Sequence, residues 1–516
     1  MTDTPHPAPA AGAPALRRGS LGTADIAFFV VSAAAPLTVM AGVAPLALLV
    51  GGIGAPAGYL AAGLTLTVFA VGFTTMSRHV RNAGGFYAYI TRGLGRPAGF
   101  GAALLALLGY LGMNIGVFGL LGSATSDTVE ALTGHRIPWL LPALTGLAVV
   151  WYGGFRSIDF GAKLLGVLLL AETGILVLLA AAVLLEGGAH GLSAHSFAPG
   201  NVLTGGMPGV LAMAFAAFTG FESTVIYRRE ARDPDRTVPR ATYLAVAFLG
   251  LFYAFVVWTV VQAYGDSEVV AAAAQDPGGL FFTAIDRYVG GWAADLMHVL
   301  IVTSILASLL AFHNATSRYG LALAEEGLLP RVLGRIHPRH RSPYVSGLAQ
   351  SLLALLVVAV FAAAGADPYT QLLLWVNTPG MLALVALQLL AAVAVPCWFR
   401  RRRGHGEGAV RTVVAPAVAA VLLTGALWLV VDHIGLLTGA SGTVNLVLVL
   451  IVPAVFAAGV LYALRTRARR PAVYAGFAAE PAAEPLAEPS AGEEAAGGAP
   501  AGGAPVQAAS PAAGAR

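Results

Sequence analysis

The sequence predicts an all-α polytopic membrane protein, and three observations carry that class. Of the 516 residues, 57% are hydrophobic and only 11% are charged. A water-soluble domain carries about 25% charge, so a chain of this size lacks the polar surface to face water. The second observation is a series of uncharged apolar runs of about 20 residues, each long enough to cross a hydrocarbon core of about 30 Å as a helix. The third is the placement of arginines at the ends of alternate runs, which is a topological pattern.

Taken in order, Met1 to Ser20 is rich in Ala and Pro and has no apolar h-region. Residues 1–20 therefore read as a polar tail and not as a cleaved signal peptide. The apolar runs follow as Ile26–Val50, Ala57–Thr75, Ala98–Leu121, Pro138–Trp151, Leu164–Leu185 and Gly206–Tyr227. They continue as Tyr243–Tyr264, Trp292–Ala315, Tyr344–Ala364, Leu372–Cys397, Val413–Val431 and Val444–Leu464. That makes about 12 transmembrane helices, the fourth being short. Residues 21–470 form the membrane domain. After Pro471 the composition turns to Ala, Pro, Gly and Glu, and 471–516 is expected to be a disordered cytoplasmic tail, with too little large apolar surface to offset ordering.

The basic residues test this count. Gly51–Pro56, Glu186–Thr204 and Gly365–Thr370 contain no Arg or Lys, and the connection Gly265–Gly291 holds Asp266, Glu268, Asp276 and Asp286. The intervening connections are loaded: Arg78, Arg81, Arg92 and Arg96; Arg156 and Lys163; Arg228 to Arg240; Arg318 to Arg341; Arg400 to Arg403; Arg465 to Arg470. Only Arg136 and Arg287 fall on the other side. A miscounted run would break the alternation, which places both termini in the cytoplasm. The same placement accounts for the net charge of +4, so the partner it implies is a lipid bilayer and not nucleic acid. A single cysteine, Cys397, excludes an internal disulfide and a cysteine metal site. No cofactor or metal is expected.

Function is legible where helices break. A protein that moves a polar solute needs free backbone groups at mid-membrane, and an unbroken helix has none to offer. Pro36 lies about ten residues inside the first run, preceded by Ser32, Ala33, Ala34 and Ala35. It lacks an N–H and clashes with the preceding turn, which frees carbonyls near Ser32 and Ala33. The sixth run is interrupted at Phe218-Thr219-Gly220-Phe221, at a comparable depth. Breaks in runs one and six fit a five-plus-five repeat. Asn377-Thr378-Pro379-Gly380 reads as a third interruption, expected to be a kink without a ligand role.

Two carboxylates lie within the runs, Glu172 in the fifth and Glu222 in the sixth. A charge at a helix centre costs about 2.5–3.5 kcal/mol on insertion, while each Leu or Val returns roughly 0.3–0.6. The ten leucines from Leu164 to Leu185 insert the fifth run with Glu172 charged. Position is the stronger argument: such acids face the bundle interior or a wet cavity, where they serve gating or proton coupling or else only tie the helix to its neighbours.

Four stretches carry a family resemblance. They are Ala34-Ala35-Pro36-Leu37-Thr38; Gly84-Gly85-Phe86-Tyr87-Ala88-Tyr89 with Arg92 and Gly95; Phe218-Thr219-Gly220-Phe221-Glu222 with Glu230, Pro234, Arg236, Pro239 and Arg240; and Ser317-Arg318 with Glu326-Gly327-Leu328-Leu329-Pro330. In this order and at these intervals the chain resembles the amino acid–polyamine–organocation superfamily of permeases, in its bacterial amino acid branch.

The resemblance implies a LeuT-like 5+5 inverted repeat with broken helices 1 and 6. It also implies a substrate α-carboxylate held at Ser32, Ala33, Ala34 and Ala35. The α-amino group would meet the carbonyls of Ala216, Ala217, Phe218 and Thr219 before Gly220, and a half-helix N-terminus does favour an anion. Three positions depart from the pattern. Many relatives have a glycine-containing turn in place of Ala33-Ala34-Ala35. Arg229-Glu230 stands for a common pair of acids, and Glu172 lies near a position where some members carry a lysine in place of a sodium ion.

The function these readings imply is secondary active transport of an amino acid or related amine, by proton symport or substrate exchange, and not catalysis. Sodium coupling through Thr303, Ser304 and Ser308 is the alternative within the class. An intramembrane enzyme is the alternative outside it, and no H-E-x-x-H spacing supports that. A channel would call for a charged ring or filter repeat, and none is present.

Overall fold

The long apolar runs of the sequence are all helices, and the first is broken. The computed structural model describes residues 19, 21–80, 82, 84–156, 158–402 and 406–479, apart from the side chains of 158–165 and 229. Most of the expected N-terminal tail, Arg81, Arg403 and the chain beyond Ala479 lie outside the described residues.

The first run forms α1 (Thr23–Ala34), α2 (Pro36–Gly42) and α3 (Ala44–Gly51). There follow α4 (Ala55–His79), α5 (Phe86–Leu94), α6 (Arg96–Thr133), α7 (Leu140–Phe155), α8 (Ile158–Glu186) and α9 (Pro199–Val202). The sixth run is α10 (Met207–Ala217), continued after a break by 3₁₀ turns over Phe221–Arg229. The second half comprises α11 (Pro234–Tyr264), α12 (Val269–Gln275), α13 (Leu280–Tyr288), α14 (Gly291–Glu325), α15 (Tyr344–Ala363) and α16 (Leu374–Arg401). It ends with α17 (Ala415–Asp432), α18 (Ile434–Thr438), α19 (Gly442–Arg469) and α20 (Pro471–Gly476). Among the described residues no strand occurs, only an isolated bridge between Leu21 and Ala231.

Among the described residues eleven helical segments are long and apolar enough to cross a membrane, and the sixteen-residue α7 stands at the short fourth run. The protein is an all-α polytopic membrane protein. Burial sorts the helices: 83% of the most apolar stretch of α1–α2 and 89% of that of the broken sixth segment are buried, against 28% for α17 and 22% for α19. The broken elements are thus central. The outer helices turn residues such as Val421, Trp428, Leu446 and Leu461 outward, an apolar surface that suits lipid and not water.

The connections meet by parity. Leu21 pairs with Ala231, Asn82 donates to Glu326 and to the Ala479 carbonyl, Arg78 faces Glu407, and the Ser342 hydroxyl donates to the Phe155 carbonyl. These links join the connections that carry the arginines into one face. On the opposite face Ser193 donates to Asp266, and the Tyr369 hydroxyl donates to the Gly42 carbonyl.

Two expectations are corrected. The tenth run has no interruption at Asn377–Gly380, because α16 runs through Pro379. Gly380 there packs so closely on α6 that a Cβ would come within 3.0 Å of the Gly109 carbonyl, and such small-residue packing of neighbours lets membrane helices tolerate proline.

The tail does not begin at 471. Pro471–Gly476 is helical, and Phe477 is 1% exposed, stacked on Tyr87 at 5.3 Å and against Phe100 at 4.1 Å. Arg96 lies over Tyr474 and donates to the Ala475 carbonyl, while the Ala478 N–H donates to Glu326. The composition after Pro471 is poor in large apolar groups overall, but Val473, Tyr474 and Phe477 concentrate them in its first residues.

Truncating Phe477 leaves a cavity between two buried rings, so Phe477→Ala should destabilise the protein by about 3 kcal/mol. The check is the melting temperature of the detergent-purified protein, which should fall. An unchanged value would mean that the segment contributes nothing to the fold.

Candidate functional site

The two breaks are built differently and come together. At the first, Ala35 adopts a left-handed conformation (φ 45°, ψ 77°), and Pro36 opens α2 at the helix position where its missing N–H costs nothing. At the second, α10 ends at Ala217 and Gly220 has φ 113°, a conformation that glycine adopts without strain. A Cβ placed on Gly220 would stand 3.2 Å from the Ala33 Cβ. The interruptions therefore touch in the middle of the bundle.

Between them lies a pocket of about 80 Å³. Its walls include Ala33, Ala34 and Ala35 from the first break and Ala216, Ala217 and Thr219 from the second. Of the residues expected to bind a ligand, Ser32, Phe218 and Gly220 do not line it. Ser32 is fully buried behind the break. The Phe218 ring points the other way, towards Tyr253 (6.1 Å) and the close approach of Gly63 to Gly250.

The rest of the wall was not legible in the sequence, because it comes from helices whose inward faces no pattern marks. Met113, Val117 and Leu120 of α6, Phe312 of α14, Met213 of α10 and Leu373 make it predominantly apolar. The polar exceptions are Thr38, Ser308 and Asn377. Asn377, with its amide oriented to satisfy both ends, donates to the carbonyls of Gly112 and Met113, so it ties α16 to α6.

The carbonyls freed at the first break are not left open. Ser308 donates to the Ala33 carbonyl at 2.7 Å, and the Tyr253 hydroxyl donates to that of Ala34 at 3.1 Å. At the start of α2 the buried Leu37 N–H is met by Glu172, which accepts from it at 3.3 Å and also from the Ser304 hydroxyl. Ser304 in turn is 2.9 Å from the Thr38 hydroxyl. The other Glu172 oxygen is buried without a partner. Glu172 thus links α8, α2 and α14 behind the pocket.

Glu222 does the corresponding work at the second break. It accepts from the Gly220 N–H at 3.1 Å and from the Tyr110 hydroxyl of α6 at 3.3 Å. Neither acid lines the pocket.

The pocket is closed towards both faces, unequally. Towards the arginine-rich face, Phe29 stacks on Tyr227 at 5.3 Å, and a buried Arg318–Glu230 pair at 2.9 Å packs on the same tyrosine. Towards the other face the closure is thin. Leu120 lines both the pocket and a cavity of about 730 Å³ that contains Asp127, Arg136, Asp276 and Asp367. The arrangement can hold a small solute between two helix breaks. Among the described residues no cluster of His, Cys, Asp and Glu could hold a metal ion.

A family model described as amino acid permease matches residues 21–464. The chain is 31% identical over 159 residues to an uncharacterized transporter of Mycobacterium tuberculosis, covering 31% of this chain and 34% of that protein. It is 30% identical over 217 residues to the L-methionine/branched-chain amino acid exporter YjeH of Escherichia coli, covering 41% of this chain and 50% of that one. It is 23% identical over 410 residues to the low-affinity putrescine importer PlaP of Escherichia coli, covering 76% of this chain and 85% of that protein. The chain thus spans about a third of the length of the mycobacterial transporter.

Gly220→Ala tests the contact between the breaks. An alanine there is strained at φ 113° and presses on Ala33, so about 1–3 kcal/mol of stability should be lost. Thermal unfolding of the purified variant reads this out; unfolding identical to that of the wild type would contradict the geometry.

Proposed function

The chain belongs to the amino acid permease family, and from that premise we propose that it is a secondary active transporter for an amino acid with an apolar side chain. It works in the cytoplasmic membrane by alternating access, with the arginine-rich face and both termini in the cytoplasm. The fold is read as a LeuT-like five-plus-five repeat whose broken members are the first and sixth segments.

The observation that carries this reading is the pocket enclosed by both breaks. In it, the carbonyls of Ala217 and Thr219 suit an ammonium group and the turn at Ala33–Ala35 suits a carboxylate. The side-chain end of the ligand meets Met113, Val117, Met213 and Phe312. Among the described residues no acidic side chain lines the pocket, which favours a neutral amino acid over a diamine, whose second charge would go unpaired there. At about 80 Å³ the pocket is smaller than the several hundred Å³ usual for ligand sites, so a bulky side chain requires the Leu120 closure to yield.

Coupling is assigned to a proton or to exchange. Beside the α14 hydroxyls stands Glu172, which accepts from Ser304 and from the Leu37 N–H, so the group next to the first break is one that can take up a proton. Glu172 and Glu222 each tie a broken helix to the scaffold through carboxylate oxygens that a proton would neutralise. Taking up or losing one proton changes how firmly a break is held, which is what coupling requires.

Purified protein in liposomes tests both parts. Uptake of labelled L-methionine, L-leucine, L-glutamate and putrescine is measured with an inward proton gradient, with a sodium gradient, or with unlabelled substrate inside. The account expects the two neutral amino acids to move, driven by protons or by exchange. Movement of putrescine alone, or dependence on sodium, would overturn it. Glu222→Gln keeps the shape of the side chain and loses its titration. It should insert normally and transport with a flattened dependence on pH; a pH profile identical to the wild type would reduce Glu222 to a structural acid.

A further inference from the structure

At the end of α19 the residues Tyr462, Arg465, Thr466 and Arg469 recur at the spacing of one helical face. Together with Arg470 they border a hollow of about 380 Å³. Tyr462 and Arg470 also line an adjoining hollow of about 560 Å³, closed by the Gly327–Arg331 loop and by Val473 of α20. The two make one groove on the arginine-rich face.

Among the described residues its charge is not balanced. Elsewhere on this face arginines meet carboxylates: Arg78 and Arg411 with Glu407, Arg228 with Asp235, Arg318 with Glu230. Among the described residues, Arg331, Arg465, Arg469 and Arg470 form no ion pair and no side-chain hydrogen bond, and all four are exposed. Topology needs arginines at this helix end, but it does not need four of them gathered around a hollow.

The place of the groove identifies its ligand. Among the described long apolar segments α19 is the least buried, and Leu461 and Leu464, in the turn that leads into Arg465, are exposed. A ligand here presents an anion to the guanidiniums and hydrocarbon to the leucines. We propose that the groove binds the headgroup of an anionic glycerophospholipid. The phosphodiester would sit among Arg465, Arg469, Arg470 and Arg331, where forked guanidinium donors match phosphate oxygens. The acyl chains would run along α19 and the tyrosine would stand at the boundary. The four guanidiniums outweigh the negative C-terminal end of the helix dipole. Because Arg470 leads directly into α20, the bound lipid also anchors the segment that packs Phe477 against Tyr87 and Phe100.

The inference rests on the membrane placement proposed above but not on transport, and its test reads binding. Full-length protein in neutral detergent is titrated with dioleoylphosphatidylglycerol, with dioleoylphosphatidylcholine, or with inorganic phosphate, and the melting temperature is followed. Only phosphatidylglycerol should raise it. Loss of two guanidiniums in R465Q/R469Q should shift the titration midpoint by about fivefold for each, while R335Q/R339Q, the same charge removed elsewhere on this face, should leave it unmoved. If the double variant does not fold, R465Q alone should show the fivefold shift. Equal midpoints in wild type and variant, equal stabilisation by phosphatidylcholine, or saturation by inorganic phosphate would each overturn the proposal.

Discussion

A backbone group inside a membrane has to find a partner within the protein, and much of this structure follows from that constraint at two places. Ala35 and Gly220 interrupt helices in the centre of the bundle, where water cannot solvate the freed groups. Side chains from other helices answer them. Ser308 and Tyr253 meet the carbonyls of Ala33 and Ala34, Glu172 meets the N–H of Leu37, and Glu222 meets the N–H of Gly220. A buried polar group left unpaired costs about 1–3 kcal/mol, so these contacts make the broken conformation stable enough to exist. They also explain why two carboxylates are tolerated in helices that have no insertion need for them.

The same contacts tie the broken segments to intact helices. Each acid spans a break and an intact helix: Glu172 reaches from α8 to α2 and α14, and Glu222 from the sixth segment to Tyr110 of α6. Below them, Tyr110, Tyr319, Tyr87 and Phe477 follow one another with ring centroids 5.3–5.7 Å apart. This aromatic series runs from the second break to the segment after α19. Packing on the arginine-rich face is therefore continuous with the site, whereas among the described residues Leu120 alone borders both the pocket and the cavity on the other face. The closure is thick on one side and thin on the other, which fits the alternating access proposed for this site.

Much of this was legible in the sequence, for identifiable reasons. Composition and arginine alternation settle class and span order, since both depend on bulk solvation and not on packing detail. Pro36 and Gly220 marked the breaks because proline and glycine act on the backbone locally. The sequence could not show that Ser32 and Phe218 turn away from the pocket while Met113, Val117 and Phe312 turn in. In helices apolar on all sides no periodicity distinguishes the faces. Residues 471–479 were misread for a related reason: three large side chains in a stretch of Ala and Pro carry no weight in a composition, yet Phe477 is buried between two rings. The third interruption failed because Pro379 sits where glycine-lined helices approach closely enough to keep α16 intact.

The central claim is that the pocket between the breaks holds the transported amino acid, and filling it tests that claim most directly. Ala216 lines the pocket and is only half-buried, so Ala216→Leu places added carbon in the empty space without crowding the core. Titration calorimetry of the purified variant with L-methionine and L-leucine is the measurement, alongside its melting temperature. The account predicts a variant that unfolds close to the wild-type temperature and binds neither amino acid. Undiminished binding in a folded Ala216→Leu protein would contradict it.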